Sequence, residues 1–292
     1  MPPPTAMRRI NTDVTRFEKA QACGEAEGLH FWLVGNKGNG DGYVGYGLIR
    51  GMSGPYHDGF YLIRFLFPKE YPFREPLCNH ISFSRLRQSP NFHDNEYDPP
   101  LQKFKRGSDT PTPTHEIDPN NSGGMAPGGK VCLSRLNTWE GSSPGKDKWV
   151  ASLDILYILR MIQCQVLTEK PLNHEPPYTR HELEPINAQN YTNFATYQNF
   201  RSNVVDIYHN LEGHVPWSIC DGIKSTIFAY VSQHQGVYHD RLRELKDIHE
   251  GRSYACSTYP NSKCFCDYSS VVDNFIRTYG KIIIKMKTDT DK

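Results

Sequence analysis

The chain has 292 residues, a formal net charge of +1, and 37% hydrophobic against 22% charged residues. That is an ordinary globular composition, long enough for a sizeable core in one large domain or two smaller ones. The absence of a basic stripe argues against a nucleic-acid-binding protein, and no apolar run reaches the roughly 20 residues that span a bilayer. Met1-Pro-Pro-Pro-Thr-Ala-Met-Arg-Arg lacks the apolar stretch of a signal peptide, so the expected location is intracellular, cytoplasmic or nuclear. Eight cysteines, at 23, 78, 132, 164, 220, 256, 264 and 266, are then expected as free thiols rather than a disulfide framework.

In chain order, Ile10, Val14, Phe17 and Ala20 recur at helical spacing and predict a helix over 8–24. His30 to Val34 and Tyr43 to Ile49 predict two strands around the glycine-rich turn Gly35 to Gly42. Gly54-Pro-Tyr-His-Asp-Gly is turn chemistry. The run 60–67 predicts a strand buried on one face and partly on both, and 78–83 another short one. Residues 84–130 hold seven prolines at 90, 99, 100, 111, 113, 119 and 127. A stretch this long without regular structure reads as an insertion near a functional site. Residues 149–168 predict a helix apolar over most of its circumference, hence buried. Helical patterns follow at 187–211 and 216–250, then a cysteine- and serine-rich loop at 251–269. Residues 270–286 predict a helix ending in the strand-like Lys281-Ile-Ile-Ile-Lys. Strands followed by helices predict an α+β fold rather than alternating α/β.

One segment carries chemistry: Gly128-Gly-Lys-Val-Cys132-Leu-Ser-Arg-Leu-Asn-Thr-Trp139-Glu-Gly. A cysteine between a Gly-Gly turn and a short apolar stretch is held firmly yet stays reachable. Lys130 and Arg135, close in sequence, favour the nucleophilic thiolate. Taken alone, such a cysteine reads first as a small core residue.

Three ordered blocks alter that reading. Tyr61-Leu-Ile-Arg-Phe-Leu-Phe-Pro68-Lys-Glu-Tyr71-Pro72-Phe-Arg-Glu-Pro76 comes first, Gly129-Lys-Val-Cys132-Leu-Ser with Leu136 and Trp139 second, and Asn173-His174-Glu175-Pro176 third. Together they resemble the ubiquitin-conjugating enzyme family over about residues 7–210. The variants Leu-Asn-Thr-Trp-Glu-Gly and Asn-His-Glu-Pro-Pro-Tyr resemble its large-type members, found in giant multidomain proteins and large DNA viruses. The resemblance implies a catalytic core at 7–210 with a loop insertion near 84–127: an N-terminal helix, a four-stranded antiparallel sheet, a long active-site loop and C-terminal helices. Residues 211–292 are then a mostly helical extension, either packed on that core or a separate partner-binding piece.

The resemblance also implies a thioester relay. An activating enzyme delivers ubiquitin to the Cys132 thiol, and a substrate lysine or a ligase cysteine takes it on. The partners are ubiquitin, the activating enzyme, a ubiquitin ligase and the substrate protein. No metal or cofactor is required of this chain, because ATP is used upstream. The family places an asparagine, in a His-Pro-Asn motif shortly before the cysteine, to stabilise the tetrahedral oxyanion. Here two Pro-Asn pairs compete, neither preceded by histidine: Asp118-Pro119-Asn120 and Ser89-Pro90-Asn91-Phe92. Asn120 is favoured because its connection to Cys132 is shorter, which makes 84–114 the insertion. With Asn91, 96–127 would be the insertion, and Phe92 would match the apolar residue that follows the motif. Glu175 stands where the family carries an acidic residue that orients the incoming lysine, and Phe73 where a ligase is contacted. Trp139, Tyr71, Pro72 and Pro76 are expected to serve packing. The alternatives are a non-catalytic module of the same fold, for which the altered His-Pro-Asn motif speaks, and a cysteine hydrolase, which needs a histidine beside Cys132. Cys256, Cys264 and Cys266 lack paired Cys-x-x-Cys knuckles, so no zinc site is expected there.

Overall fold

The computed structural model describes residues 5–35, 42–81, 83–84, 86–92, 107–109, 129–138, 148–174, 185–256 and 262–280. Helix α1 (Thr5–Ala22) buries Ala6, Ile10, Phe17 and Ala20. Strands β1 (Leu29–Gly35), β2 (Gly42–Arg50), β3 (Phe60–Pro68) and β4 (Leu77–Ile81) form one antiparallel meander in sequence order. Helix α2 (Ile155–Met161) runs on as the π-helical turn Ile162–Val166. Helix α3 comprises Pro185–Gln198, the π-helical Asn199–Asp206 and Ile207–Asn210. Then come α4 (Trp217–Gln233), α5 (Gln235–His249), a hairpin of β5 (Ser253–Ala255) and β6 (Lys263–Phe265), and α6 (Tyr268–Phe275) with the turn Ile276–Gly280. The class is α+β, with the N-terminal helix and four-stranded antiparallel sheet that the sequence predicts.

Side chains alternate across a strand, and here both faces of the sheet are covered. On the inner face Phe31 lies opposite Gly47 and Gly45 opposite Phe65. The Phe31 ring meets Phe17 of α1 at 6.2 Å. A Cβ at Gly45 would stand 2.3 Å from the Phe31 ring and one at Gly47 2.5 Å from Leu159 of α2. Both glycines are therefore required by close packing. On the outer face α4 closes over Trp32, with Gly222 so near that a Cβ would sit 3.2 Å from the indole nitrogen. The rings of Phe60 and Tyr230 meet edge-on at 5.9 Å, and the Arg50 guanidinium lies 4.4 Å from the Tyr230 ring centroid. This double coverage explains why 60–67 reads as a continuous apolar run rather than an alternation.

Residues 211–280 pack on the core through tyrosine hydroxyls. Tyr230 donates to Asp58 Oδ1 at 2.9 Å, Tyr238 to the Asp58 carbonyl at 2.6 Å, and Tyr279 to the Val204 carbonyl at 2.6 Å. Three local expectations change. The helix predicted from 149 begins at Ile155, capped by Asp154, whose carboxylate accepts the Tyr157 N–H at 2.9 Å; Trp149 is used instead as an anchor near the cysteine segment. The 216–250 region breaks at His234 (φ −109°, ψ 19°). The 251–269 loop contains the β5–β6 hairpin. The strand predicted at 281–285 lies outside the described residues.

Candidate active site

Cys132 ends a short extended segment that is bonded on both edges. Toward β4, the His80 N–H donates to the Gly129 carbonyl at 2.9 Å and the Val131 N–H to the Cys78 carbonyl at 2.8 Å, with Asn79 bridged to Lys130. Toward the other edge, Phe92 bridges to Val131, and the Cys132 N–H donates to the Asn91 carbonyl at 2.8 Å. The segment is thus a rigid continuation of the sheet rather than a loop.

Asn91 reaches the site through a tight turn. Proline fixes its own φ, and serine and asparagine favour turns because their side chains bond the local backbone. The Phe92 N–H donates to the Ser89 carbonyl at 3.1 Å and the Asn91 N–H to Ser89 Oγ at 3.3 Å. Arg87 donates to the Ser89 and Pro90 carbonyls from outside. The turn aims the Asn91 amide at the cysteine, where Nδ2 donates to the Cys132 carbonyl at 3.2 Å. Phe92 stacks on His80 with ring centroids 4.1 Å apart and planes at 13°. Burial pushes the His80 imidazole down to about 3. His80 is therefore a neutral platform beneath the turn at ordinary pH.

After Cys132 the chain makes one 3-10 turn, Ser134–Leu136, and reverses at Asn137, whose φ of 52° lies in the left-handed region that asparagine tolerates. The reversal brings Thr138 back onto the segment. Its Oγ1 accepts the Leu133 N–H at 2.8 Å and donates to the Val131 carbonyl at 2.7 Å. Its carbonyl accepts a hydrogen bond from Cys132 Sγ at 3.3 Å. Cys132 is 7% exposed, and its thiol is held as a donor.

The Tyr71-Pro72 loop is tied to the same segment. The Trp149 indole N–H donates to the Pro72 carbonyl at 2.7 Å, and its backbone N–H to Asn137 Oδ1 at 3.4 Å. Tyr71 donates to Asp13 Oδ2 at 2.5 Å. Burial raises the Asp13 carboxyl above its ordinary range, against hydrogen bonds from Arg9 and Tyr71 that pull it down. Tyr71 and Pro72 thus serve packing. Phe73, next in the chain, is 80% exposed.

Asn120, Trp139 and Glu175 lie outside the described residues. Of the two Pro-Asn pairs, the described structure brings Asn91 to Cys132. Asn91 lies beside Cys132 although 41 positions separate them, so neighbours in space are far apart in sequence. Thr138 and His80 escaped the sequence reading. An isolated threonine six residues after the cysteine and a histidine in a strand carry no distinctive signal. Among the described residues no group of three or more His, Cys, Asp and Glu is placed to hold a metal ion, and no helix is long and apolar enough to cross a membrane.

No family model matches the chain. Among curated proteins, it is 28% identical over 192 residues to ubiquitin-conjugating enzyme E2 Z of Danio rerio, covering 64% of this chain and 45% of that protein. It is 31% identical over 135 residues to the probable ubiquitin-conjugating enzyme E2 26 of Arabidopsis thaliana, covering 46% of this chain and 18% of that protein. The chain is similar to ubiquitin-conjugating enzymes. It spans less than half the length of these two ubiquitin-conjugating relatives. Among solved structures, a Toxoplasma gondii ubiquitin-conjugating E2 domain aligns at 18% identity with a TM-score of 0.38, over 65% of this chain and 99% of that domain. Human ubiquitin-conjugating enzyme E2 G1 aligns at 18% identity with a TM-score of 0.33, over 55% and 93%.

Proposed function

We propose that the chain is a ubiquitin-conjugating transferase that carries ubiquitin on Cys132 as a thioester and passes it to a substrate lysine. The observation that carries this reading is the two-sided clasp on 129–132, with the Asn91 amide 3.2 Å from the Cys132 carbonyl. A thioester on a rigid strand end, beside an amide donor, offers the attacking amine a fixed electrophile and its tetrahedral oxyanion a partner. Asn91 takes the oxyanion role in this reading, and Asn120 is the rival that the test below separates from it. The relay asks no metal or nucleotide of this chain, because the activating enzyme consumes the ATP.

In detail, the thiol leaves the Thr138 carbonyl and loses its proton. It attacks the ubiquitin thioester on the activating enzyme, and the ubiquitin C-terminal carbonyl moves to Sγ as its bond to the activating enzyme's cysteine breaks and that thiolate leaves. A lysine amine then attacks that carbonyl. The oxyanion is met by the Asn91 amide, and the Cys132 thiolate leaves. Glu175 orients and deprotonates the lysine, and Phe73 offers a ligase its exposed ring. Retention of a clasped cysteine beside an amide speaks against a non-catalytic module of the same fold.

The decisive experiment mixes the protein with activating enzyme, ATP and ubiquitin. A reducible adduct should form and disappear in Cys132→Ala. No adduct with the unaltered protein would overturn the proposal.

A further inference from the structure

The β5–β6 hairpin holds two cysteines close together. Cys264 lies opposite Tyr254 in the ladder. Cys266 follows, its N–H donating to the Arg252 carbonyl at 2.8 Å and its carbonyl accepting the Gly251 N–H at 2.9 Å. Residues two apart on an extended chain point to one side, and the two sulfurs are 3.9 Å apart. The thiols differ. Cys264 is partly exposed and Cys266 fully buried. A hydrogen bond from Cys266 lowers the Cys264 thiol from its ordinary value, helped by the Tyr254 backbone and the Arg201 charge, against burial. The same bond, with burial, raises Cys266. One sulfur is reachable and the other is buried beside it, which is how an attacking and a resolving thiol divide their roles.

We propose that Cys264 and Cys266 are a redox-active dithiol that a peroxide converts to an intrachain disulfide. The Cys264 thiolate attacks one oxygen of hydrogen peroxide. The O–O bond breaks, leaving Cys264 as a sulfenic acid and releasing hydroxide, which leaves as water after taking a proton. The Cys266 sulfur then attacks Cys264 Sγ. The S–S bond forms, the S–O bond breaks, and the hydroxyl leaves as water with the Cys266 proton. The two sulfurs lose two electrons and the peroxide gains them. Closure draws the sulfurs from 3.9 Å to a bond of about 2.05 Å. The movement falls on a joint of the extension. Beside it the Asp267 N–H donates to the Tyr197 hydroxyl at 3.2 Å, and Glu250 accepts the Tyr268 N–H at 2.6 Å.

Peptide mapping of the full chain tests this. Trypsin cleaves after Lys263 and Arg277, so the peptide 264–277 carries both thiols and no other cysteine. The folded protein is treated with a small excess of hydrogen peroxide, alkylated and digested. The peptide should lose the mass of two hydrogens and escape alkylation, roughly tenfold faster than the exposed Cys23 and Cys164 are oxidised. In Cys266→Ser, Cys264 should be trapped by dimedone as the sulfenic acid, and in Cys264→Ser, Cys266 should stay unmodified. A cross-link to the peptide 253–263 through Cys256 would overturn the pairing. So would alkylation of both thiols in 264–277 to the same extent as Cys23. The unaltered protein decides the matter even where a variant folds poorly.

Discussion

Cys132 ends a short bridged segment and Cys264 sits in the middle of a three-residue ladder, yet their surroundings ask different things of them. Cys132 is clasped by backbone on both edges, its thiol donating to the Thr138 carbonyl and the Asn91 amide close by. Cys264 has a second sulfur at 3.9 Å and a nearby cation, Arg201. The difference is one of partners. An amide donor beside a fixed sulfur suits acyl transfer, where charge develops on oxygen. A thiol donor beside a sulfur suits oxidation, where the neighbour closes the bond. The side chain is the same; the atoms within about 4 Å decide which chemistry it enters.

The sharpest break in the comparison is Cys132→Ala. It should abolish the ubiquitin adduct entirely, whereas Cys264→Ser should leave the adduct intact; gel analysis with and without reductant reads both. Next, Asn91→Ala should slow discharge to free lysine about 100-fold, near 2.7 kcal/mol, while thioester formation proceeds. Unchanged discharge in Asn91→Ala with loss in Asn120→Ala would move the oxyanion role to Asn120.

A smaller effect comes from pH. Burial lowers His80 from 6.5 to about 3, so the unfolded chain takes up a proton below pH 6.5 that the folded chain refuses. The stability from this group is complete above pH 6.5 and is lost as pH falls toward 3. By pH 5 the loss amounts to about 2 kcal/mol. Urea unfolding at pH 7 and pH 5 should show the unaltered protein losing that much more than His80→Gln; equal losses would remove His80 as the acid-sensitive platform. The smallest effect is that of Thr138→Val, which deletes the hydroxyl bonded to Leu133 and Val131. It should cost about 1–2 kcal/mol of stability and speed Cys132 alkylation, because the capping carbonyl is no longer held over the sulfur. Thr138→Ser should restore both, and slower alkylation in Thr138→Val would count against the cap.

Much of the core was legible. The helical spacing of Ile10, Val14, Phe17 and Ala20 located α1, and the apolar run 60–67 located β3 within a residue. Those signals are local, since burial of one face imposes a period on the sequence. The start of α2 was misjudged because Trp149 and Val150 are apolar without belonging to the helix; Trp149 is spent on the Pro72 carbonyl. The β5–β6 hairpin was missed because three-residue strands carry no periodicity to read.

By itself, the sequence determined the α+β class and the order of the first helix, the four-stranded sheet and the helices that follow, and its resemblance to a known family picked out the one cysteine worth examining. The elements follow from local patterning, the cysteine from an ordered set of motifs. Only the tertiary structure decided that Asn91 lies beside Cys132, that Thr138 folds back onto the thiol, that α4 covers the outer face of the sheet, and that Cys264 meets Cys266. Asn91 and Cys132 are 41 positions apart and Tyr230 and Asp58 172. Contacts at such separations are set by how the packed elements close on one another, which no local pattern encodes.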